Sequence, residues 1–234
     1  MNSERLKLGI PSGEMEKDIL SFMQTIGLDF RRDNPRQYFI SVDNMPVDFV
    51  IVRAGSIPKY VADSRSCLKA GITGGDILWE YGWEKGREAG DEVPLYDVKP
   101  DAKRSSLFVG VTTAFYERMP ASLSKFIDNA TIVTKYPNIA RKYMESFSLN
   151  NFDIFSVPGT DEAIQFIYPY DAIVGTLSSG DTVQANGIKI LDVFYDVTLR
   201  IIGAFNGKLS RLETDILSDV QEKMYTAMLD KRRG

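Results

Sequence analysis

Residues 170–187, YDAIVGTLSSGDTVQANG, decide how the second half of this chain folds. The apolar run at 172–177 predicts a buried strand, and the small polar residues at 178–182 predict a loop that opens a helix. Such a loop turns backbone N–H groups and hydroxyls toward one point, where a helix N-terminus adds partial positive charge. The pattern favours a phosphate site, although ordinary helix capping uses the same residue types.

Composition limits the class of protein. The 234 residues are 44% hydrophobic and 26% charged, which is typical of a globular chain with one large domain or two lobes. A net charge of −4 argues against a nucleic-acid partner that needs a basic surface. A single cysteine, Cys67, excludes an internal disulfide. No apolar run approaches the roughly 20 residues of a membrane helix, so we expect a cytoplasmic protein without a membrane segment.

The chain contains no histidine. This excludes Ser-His-Asp and Cys-His mechanisms, histidine general bases and histidine-ligated metals. The chemistry left is that of carboxylates, Lys, Arg, Tyr and backbone amides, together with Mg²⁺, which prefers oxygen ligands.

Short apolar runs alternate with helical patterns along the chain, which predicts an α/β protein with parallel sheets and helices on their faces. Strands are predicted at 6–10, 37–42, 47–52, 71–73, 106–113, 131–134, 152–157, 172–177 and 198–204. Helices are predicted at 14–27, 57–62, 76–81, 137–147, 161–167, 187–194 and 209–229, with a surface loop at 84–103.

We interpret these elements as two α/β lobes, the second inserted into the first. The predicted boundaries give lobe I residues 1–112 and 190–234, and lobe II residues 113–189 with the phosphate loop. A ligand is expected in a cleft between two such lobes, at the carboxyl ends of the strands.

Five segments, in order along the chain, carry a resemblance to a known family. They are LGIPSG at 8–13, VR at 52–53 with IPKYV at 57–61, GITGGD at 71–76, TKYPNIAR at 134–141, and DAIV through NG at 171–187. Together they resemble the ATP phosphoribosyltransferases, over residues 6–205.

The resemblance implies a two-lobed, periplasmic-binding-protein-like fold of type II. It implies a pentosyltransferase, which opens histidine biosynthesis by joining the ribose 5-phosphate of phosphoribosyl pyrophosphate (PRPP) to N1 of ATP. Pyrophosphate is released with the help of Mg²⁺. Positioning and charge stabilisation suffice for such a displacement, so an enzyme without histidine can perform it.

The same resemblance assigns roles to individual residues. The loop that would hold the 5′-phosphate comprises Ser178, Ser179, Gly180, Asp181 and Thr182. Acids near the ribose would be Asp171, as a PRPP-binding residue, and Glu162, as a catalytic one. The basic residues that would take the pyrophosphate, and would thus be catalytic, are Arg53 and Arg36. Acceptor-binding positions would be Ser12, Glu14, Gly74, Lys135 and Tyr136. No metal ligands are predicted.

Plainer interpretations of three of these residues stay open. Asp171 also suits a structural pairing or capping role, and Glu162 also suits an acid in the first turn of a helix. Arg36 also suits a solvated surface position.

Several residues depart from the family pattern. Ser12 and Glu14 stand where the family has Lys and Arg around the first glycine, and Gly175 stands where it commonly has a second Asp. Two alternatives follow from these departures. One is the same fold with a changed, non-ATP acceptor in a specialised pathway. The other is a non-catalytic regulatory or small-molecule-binding paralogue.

Partners are also implied by the resemblance. Short members of the family assemble with a regulatory subunit that resembles histidyl-tRNA synthetase. We expect a homodimer, and the resemblance implies a regulatory subunit of this kind as a further partner. The apolar stripe of the helix at 209–229 predicts a core or dimer face.

Overall fold

The computed structural model describes residues 5–84, 92–95, 105–117, 130–157, 167, 169–177, 181–204 and 209–233. Contacts divide the chain into two units. Unit 1 comprises Met1–Tyr81, Arg87–Ala102 and Thr198–Gly234, and unit 2 comprises Gly82–Gly86 and Lys103–Val197. No helix among these described residues is long and apolar enough to cross a membrane.

Unit 1 is built on a six-stranded mixed sheet. Its strands are β1 (Leu6–Pro11), β2 (Phe39–Ser41), β3 (Val47–Val52), β4 (Ala70–Gly74), β5 (Glu92–Leu95) and β11 (Leu199–Gly203), in the order β2-β3-β1-β4-β11-β5. β1 runs parallel to β3 and β4, whereas β2, β11 and β5 pair antiparallel with their neighbours. The helices of this unit are α1 (Glu14–Thr25), α2 (Ile57–Ala62), α3 (Gly75–Glu84) and α7 (Arg211–Arg233).

Helices cover both faces of this sheet, because its strands are apolar on both sides. α1 and α7 share one cluster with the sheet, in which Ile19 and Val220 are fully buried. α2 and α3 contribute Ile57 and Leu78 to a second cluster. The stripe of α7 therefore lies in the core of the unit at Ile216, Val220 and Met224, whereas Leu212 is exposed.

Unit 2 is built on a five-stranded sheet. Its strands are β6 (Ser105–Thr112), β7 (Ala130–Thr134), β8 (Phe152–Ser156), β9 (Ala172–Leu177) and β10 (Ile188–Val197), in the order β10-β6-β9-β7-β8. β7 runs parallel to β8 and β9, and β6 pairs antiparallel with β9 and β10. The described helices are α4 (Thr113–Tyr116), α5 (Pro137–Ser146) and α6 (Asp181–Ala185).

Two predictions about local structure are wrong. The predicted helix at 187–194 is the start of strand β10, which pairs with β6 through two irregularities in register. The apolar residues there are compatible with the periodicity of a helix and with that of a strand, and antiparallel pairing with β6 selects the strand. Within the predicted loop at 84–103, the segment Glu92–Leu95 adds to the sheet as β5. The helix predicted at 161–167 lies outside the described residues except for Ile167.

Two boundaries between the units fall next to strands β6 and β10. It places β6 and β10 in unit 2, whereas the sequence boundaries at 112/113 and 189/190 assign β6 and most of β10 to the first lobe. Both strands hydrogen-bond within the unit 2 sheet, β6 to β9 and β10 to β6.

Candidate functional site

The carboxyl ends of β1, β3 and β4 meet at one edge of the unit 1 sheet. Pro11 pairs with Val52, and Gly9 pairs with Gly71, so continuing the register puts Arg53, Ser12 and Gly74 at one level. Neighbouring strands are about 4.8 Å apart, which brings the backbones of these three residues within about 10 Å of one another. Three residues predicted from separate motifs therefore meet at this edge.

Arg53 directly follows β3 and precedes a short 3₁₀ turn, Ala54–Ser56. Its backbone is extended, and its carbonyl accepts the N–H of Ser56 at 2.9 Å. The side chain is exposed and has no ion pair or hydrogen bond with any described residue. An unpaired guanidinium at a strand end is suited to bidentate binding of an oxyanion.

Arg36 lies in an exposed turn that leads into β2. The side chain of Asn34 accepts the Arg36 N–H at 2.8 Å, and the Asn34 carbonyl accepts the Gln37 N–H at 2.9 Å. β2 pairs antiparallel with β3, and the Tyr38 carbonyl accepts the Ile51 N–H at 2.8 Å. This register carries the Arg36 turn to the same edge as Arg53.

An ion pair that the sequence analysis missed anchors this turn. The Arg32 guanidinium bonds Glu16 in the first turn of α1 and also donates to the Pro35 carbonyl. Both charged side chains are largely buried, so the pair is shielded from water and holds the turn against α1. The two residues are too far apart in sequence for a local pattern to join them.

The turn from β1 to α1 needs its glycine. The Ser12 N–H still bonds the Val52 carbonyl at 2.8 Å, and the chain then reverses at Gly13 with φ of 105°. Side chains rarely adopt that conformation, whereas glycine does so readily. Glu14 opens α1, and its side chain is outside the described part of the structure.

Gly74 ends β4 against the next helix. A Cβ at this position would overlap the carboxylate of Asp76, which is 7% exposed in the first turn of α3. The Gly75 N–H donates to the Thr198 carbonyl at 2.8 Å. Gly74 therefore serves the close packing of this turn, and any ligand contact there is made by backbone.

The corresponding edge of unit 2 is organised by Thr134. Its hydroxyl is fully buried, donates to the Val174 carbonyl at 2.7 Å and accepts the Tyr136 N–H at 2.9 Å. These bonds join β7 to β9 and fix the backbone at Tyr136, directly before α5. Lys135 is exposed, with its Nζ 4.9 Å from the centroid of the Tyr136 ring. Because Tyr136 is only 4% exposed, Lys135 presents the accessible side chain of the two.

Asp171 lies at the other end of β9 from the predicted phosphate loop. Its carboxylate accepts the Thr131 N–H at 2.8 Å, and its own N–H donates to the Thr131 carbonyl at 3.0 Å. The length of β9 separates it by roughly 20 Å from Leu177, the last residue before the loop. The structure thus gives Asp171 a structural pairing with β7, at the opposite end of β9 from Leu177.

The predicted phosphate loop is described only in part. Ser178, Ser179 and Gly180 lie outside the described residues, as does Glu162. Asp181 and Thr182 begin α6, and their side chains are likewise outside the description. α6 is anchored by Val183, which is buried beside Ile173 of β9. The predicted strand before this loop and the predicted helix after it are both confirmed.

Gly175 faces an aromatic neighbour. It is buried and lies directly opposite Phe108 of β6, which is fully buried. Side chains at directly opposed positions project from the same face of the sheet. A carboxylate at position 175 would therefore share its space with a buried phenyl ring.

Comparison with known families matches residues 53–224 to the model of ATP phosphoribosyltransferase. An ATP phosphoribosyltransferase from Bacillus cytotoxicus is 27% identical over 199 residues, which cover 84% of this chain and 86% of that protein. Another from Clostridium acetobutylicum is 26% identical over 229 residues, which cover 95% of each chain.

Solved structures show the same fold. The ATP phosphoribosyl transferase (HisG:HisZ) complex from Thermotoga maritima has a TM-score of 0.69 at 21% identity, covering 94% of this chain and 99% of that chain. The arginine-, lysine-, histidine-binding protein ArtJ from Geobacillus stearothermophilus has a TM-score of 0.54 at 12% identity, covering 97% of this chain and 91% of that chain. These likenesses confirm the predicted α/β fold of the periplasmic-binding-protein type.

Proposed function

This chain belongs to the ATP phosphoribosyltransferase family of glycosyltransferase enzymes, and we propose that it joins the ribose 5-phosphate of PRPP to N1 of ATP. In this reaction the bond between the anomeric carbon and the pyrophosphate oxygen breaks, and a bond from N1 of adenine to that carbon forms. Pyrophosphate leaves with the bonding electron pair. The reaction places the enzyme in histidine biosynthesis, in the cytoplasm.

The position of Arg53 is the observation that carries the proposal. Its guanidinium is exposed at the strand edge of unit 1 and has no carboxylate partner among the described residues. Charge develops on the leaving pyrophosphate as the bond breaks, and a fixed guanidinium stabilises it most at that point. Arg36, carried to the same edge by its register, would bind the same group.

Unit 2 would hold the sugar phosphate. The turn at 178–182 joins the end of β9 to α6, and its hydroxyls and amides suit the 5′-phosphate. Lys135 lies at the same edge of the sheet and would contact a nucleotide phosphate. Glu162 keeps its proposed place beside the ribose. Asp171 is left out of the phosphate site because its carboxylate bonds the Thr131 N–H instead.

Mg²⁺ would assist by neutralising charge on the pyrophosphate oxygens. Within the described ranges no group of three or more Asp, Glu, Cys or His side chains is placed to hold a metal ion. The oxygen donors offered are single carboxylates and backbone carbonyls, which fits an ion held mainly by substrate phosphates and water.

A calorimetric titration of PRPP in the presence of Mg²⁺ tests the proposal directly. We expect saturable binding, and we expect pyrophosphate to be released only when ATP is also added. Titration of ATP without PRPP provides the control for non-specific nucleotide binding. Absence of PRPP binding up to millimolar concentration would contradict the proposal.

A changed acceptor is the second candidate function. Ser12 and Glu14 put a hydroxyl and a carboxylate where the family pattern has two cations, beside the edge that carries Arg53. A carboxylate there opposes a triphosphate tail, which favours an acceptor with less phosphate. Pyrophosphate release measured across purine bases, nucleosides and other nitrogen heterocycles separates the candidates, because efficient turnover with ATP alone would exclude this one.

Assembly with other subunits is also proposed. The Thermotoga maritima structure contains a HisG:HisZ complex, and we propose that this chain forms a homodimer that binds a regulatory subunit of comparable kind. Size-exclusion chromatography with light scattering on the purified chain, alone and with such a subunit, measures both associations.

A further inference from the structure

Among the described residues of unit 1, three neighbouring polar side-chain atoms are buried without a hydrogen-bond partner. They are Oγ1 of Thr73, Oγ1 of Thr198 and Nε of Arg200. Arg200 pairs directly opposite Thr73, so the two side chains share one face of the sheet. Thr198 directly precedes β11, and its carbonyl accepts the Gly75 N–H at 2.8 Å, so it continues the pairing of β11 with β4 and lies beside the same turn. Orphaned buried polar atoms are rare in proteins, and three in one place call for a physical account.

The beginning of α3 covers this cluster. A Cβ on Gly75 would stand 3.7 Å from Arg200 Nε and 3.8 Å from the ring of Trp79. α3 has ten residues, and its N-terminus adds partial positive charge beside the guanidinium. The cluster therefore lies between the ends of β4 and β11 and the first turn of α3.

The charge of Arg200 is not balanced within the described structure. The side chain is half-buried and forms no ion pair or hydrogen bond there. Burial of the Arg200 Nε–H without an acceptor is unfavourable, and an oxygen of a bound ligand would supply that acceptor.

We infer that Thr73, Thr198 and Arg200 bind a phosphoryl group, as a second oxyanion site separate from the loop at 178–182. Arg200 Nε and both hydroxyls would donate to the phosphoryl oxygens, which satisfies all three atoms at once. The site lies two strands from Ser12, so Arg200 supplies positive charge to an edge where Ser12 and Glu14 supply none. The inference rests on the proposed function only for the source of the group, which is either pyrophosphate or the phosphate tail of the acceptor.

Binding by purified variants tests the inference, with pyrophosphate and ATP titrated separately. We expect Arg200→Met to weaken one of them by about tenfold or more, as for loss of a charge-assisted bond, and the ligand affected identifies the source. Arg65→Met provides the matched control, because Arg65 is exposed and, within the described part of the chain, forms an ion pair with Asp63 alone. Ribose 5-phosphate should bind Arg200→Met as it binds the wild type, since it reports on the loop of unit 2.

The double variant Thr73→Val and Thr198→Val keeps the test valid if Arg200→Met fails to fold. Neither hydroxyl has a partner to lose, so the ligand-free melting temperature should not fall, whereas affinity for the same ligand should fall several-fold. Wild-type affinity for both ligands in these variants, or no binding of either by the wild type, would overturn the inference. A lower melting temperature with unchanged affinity would also overturn the inference, because it would show that the two hydroxyls stabilise the fold, for example through a bound water, and do not bind the ligand. If the wild type does not bind PRPP but binds pyrophosphate, and Arg200→Met weakens that binding, the proposed function is contradicted and the oxyanion site is supported.

Discussion

Unit 1 and unit 2 each end three parallel strands at one edge of a sheet, but different residues follow those strands. At the unit 1 edge, the exposed guanidiniums of Arg53 and Arg36 extend from turns held by backbone bonds and by the Arg32–Glu16 pair. At the unit 2 edge, the buried Thr134 hydroxyl joins two strands, and Lys135 follows it as an exposed side chain.

This contrast suggests a division of work between the units. Long cationic side chains suit a leaving group whose charge grows during a reaction, whereas short hydroxyls and backbone amides suit a phosphate that stays unchanged. Substitutions at the two edges should therefore differ in whether they affect turnover, substrate affinity or stability.

Arg53→Met should have the largest effect. It removes the charge proposed to stabilise the leaving pyrophosphate while keeping most of the side-chain volume, so kcat should fall by about 100-fold or more. Initial rates of pyrophosphate release at saturating PRPP and ATP measure it. Arg65→Met, at an exposed ion pair, should retain the wild-type rate, and equal rates for the two variants would remove the proposed role of Arg53.

Thr134→Val should destabilise the protein by about 2–3 kcal/mol, because it leaves the Val174 carbonyl and the Tyr136 N–H buried without their shared partner. Urea denaturation measures the change in the free energy of unfolding. Thr25→Val is the matched control, since the Thr25 hydroxyl is exposed and bonds only the Ser21 carbonyl of its own helix. A loss no larger than that of the control would show that Thr134 does not organise the edge.

Thr182→Val should weaken PRPP binding by about tenfold through loss of one hydroxyl donor to a charged phosphate. Its kcat at saturating PRPP should change little, in contrast to Arg53→Met. Calorimetric titration and steady-state rates separate the two parameters. Unchanged affinity would indicate that the 5′-phosphate binds elsewhere.

Asp171→Asn tests the position of Asp171 at the far end of β9. We expect a loss of about 1 kcal/mol in the free energy of unfolding, from a weaker bond to the Thr131 N–H. PRPP affinity should stay at the wild-type value because the loop lies at the opposite strand end. A large loss of PRPP affinity would indicate that Asp171 contacts PRPP.

Tyr143→Phe should have the smallest effect, about 1 kcal/mol of stability with unchanged kinetics. The Tyr143 hydroxyl bonds Asp192, and burial, followed by this bond and the negative charge of Asp192, raises the pKa of Tyr143 above its ordinary value. A raised folded-state pKa contributes stability that is fully present below about pH 10, the pKa of the unfolded chain, and is lost at higher pH. Urea denaturation at pH 7 and pH 11 should show this loss in the wild type and not in the variant.

Much of the fold follows from local patterns in the sequence. Strand periodicity and turn residues place β1, β3 and α2 within a residue or two of their observed bounds. The prediction fails at 187–194, because a short apolar run is compatible with helix and strand until a neighbour pairs with it. β5 escapes prediction for a related reason, since its pairing partner β11 lies more than 100 residues later.

The candidate site is predicted unevenly. Arg53 stands out because a cation directly follows an apolar strand, which is a local signal. The Arg32–Glu16 pair and the facing of Arg200 with Thr73 depend on contacts between distant segments. Asp171 stands next to the phosphate loop as a motif, yet an extended strand carries it away from that loop.

The sequence by itself determined the succession of strands and turns, the absence of histidine chemistry and the family, because these depend on residue type and short-range order. Only the tertiary structure decided that Ser12, Arg53 and Gly74 lie at one level, that Asp171 bonds β7, and that Thr73, Thr198 and Arg200 are buried together. The physical reason is register: hydrogen bonds between strands distant in the chain set which residues become neighbours.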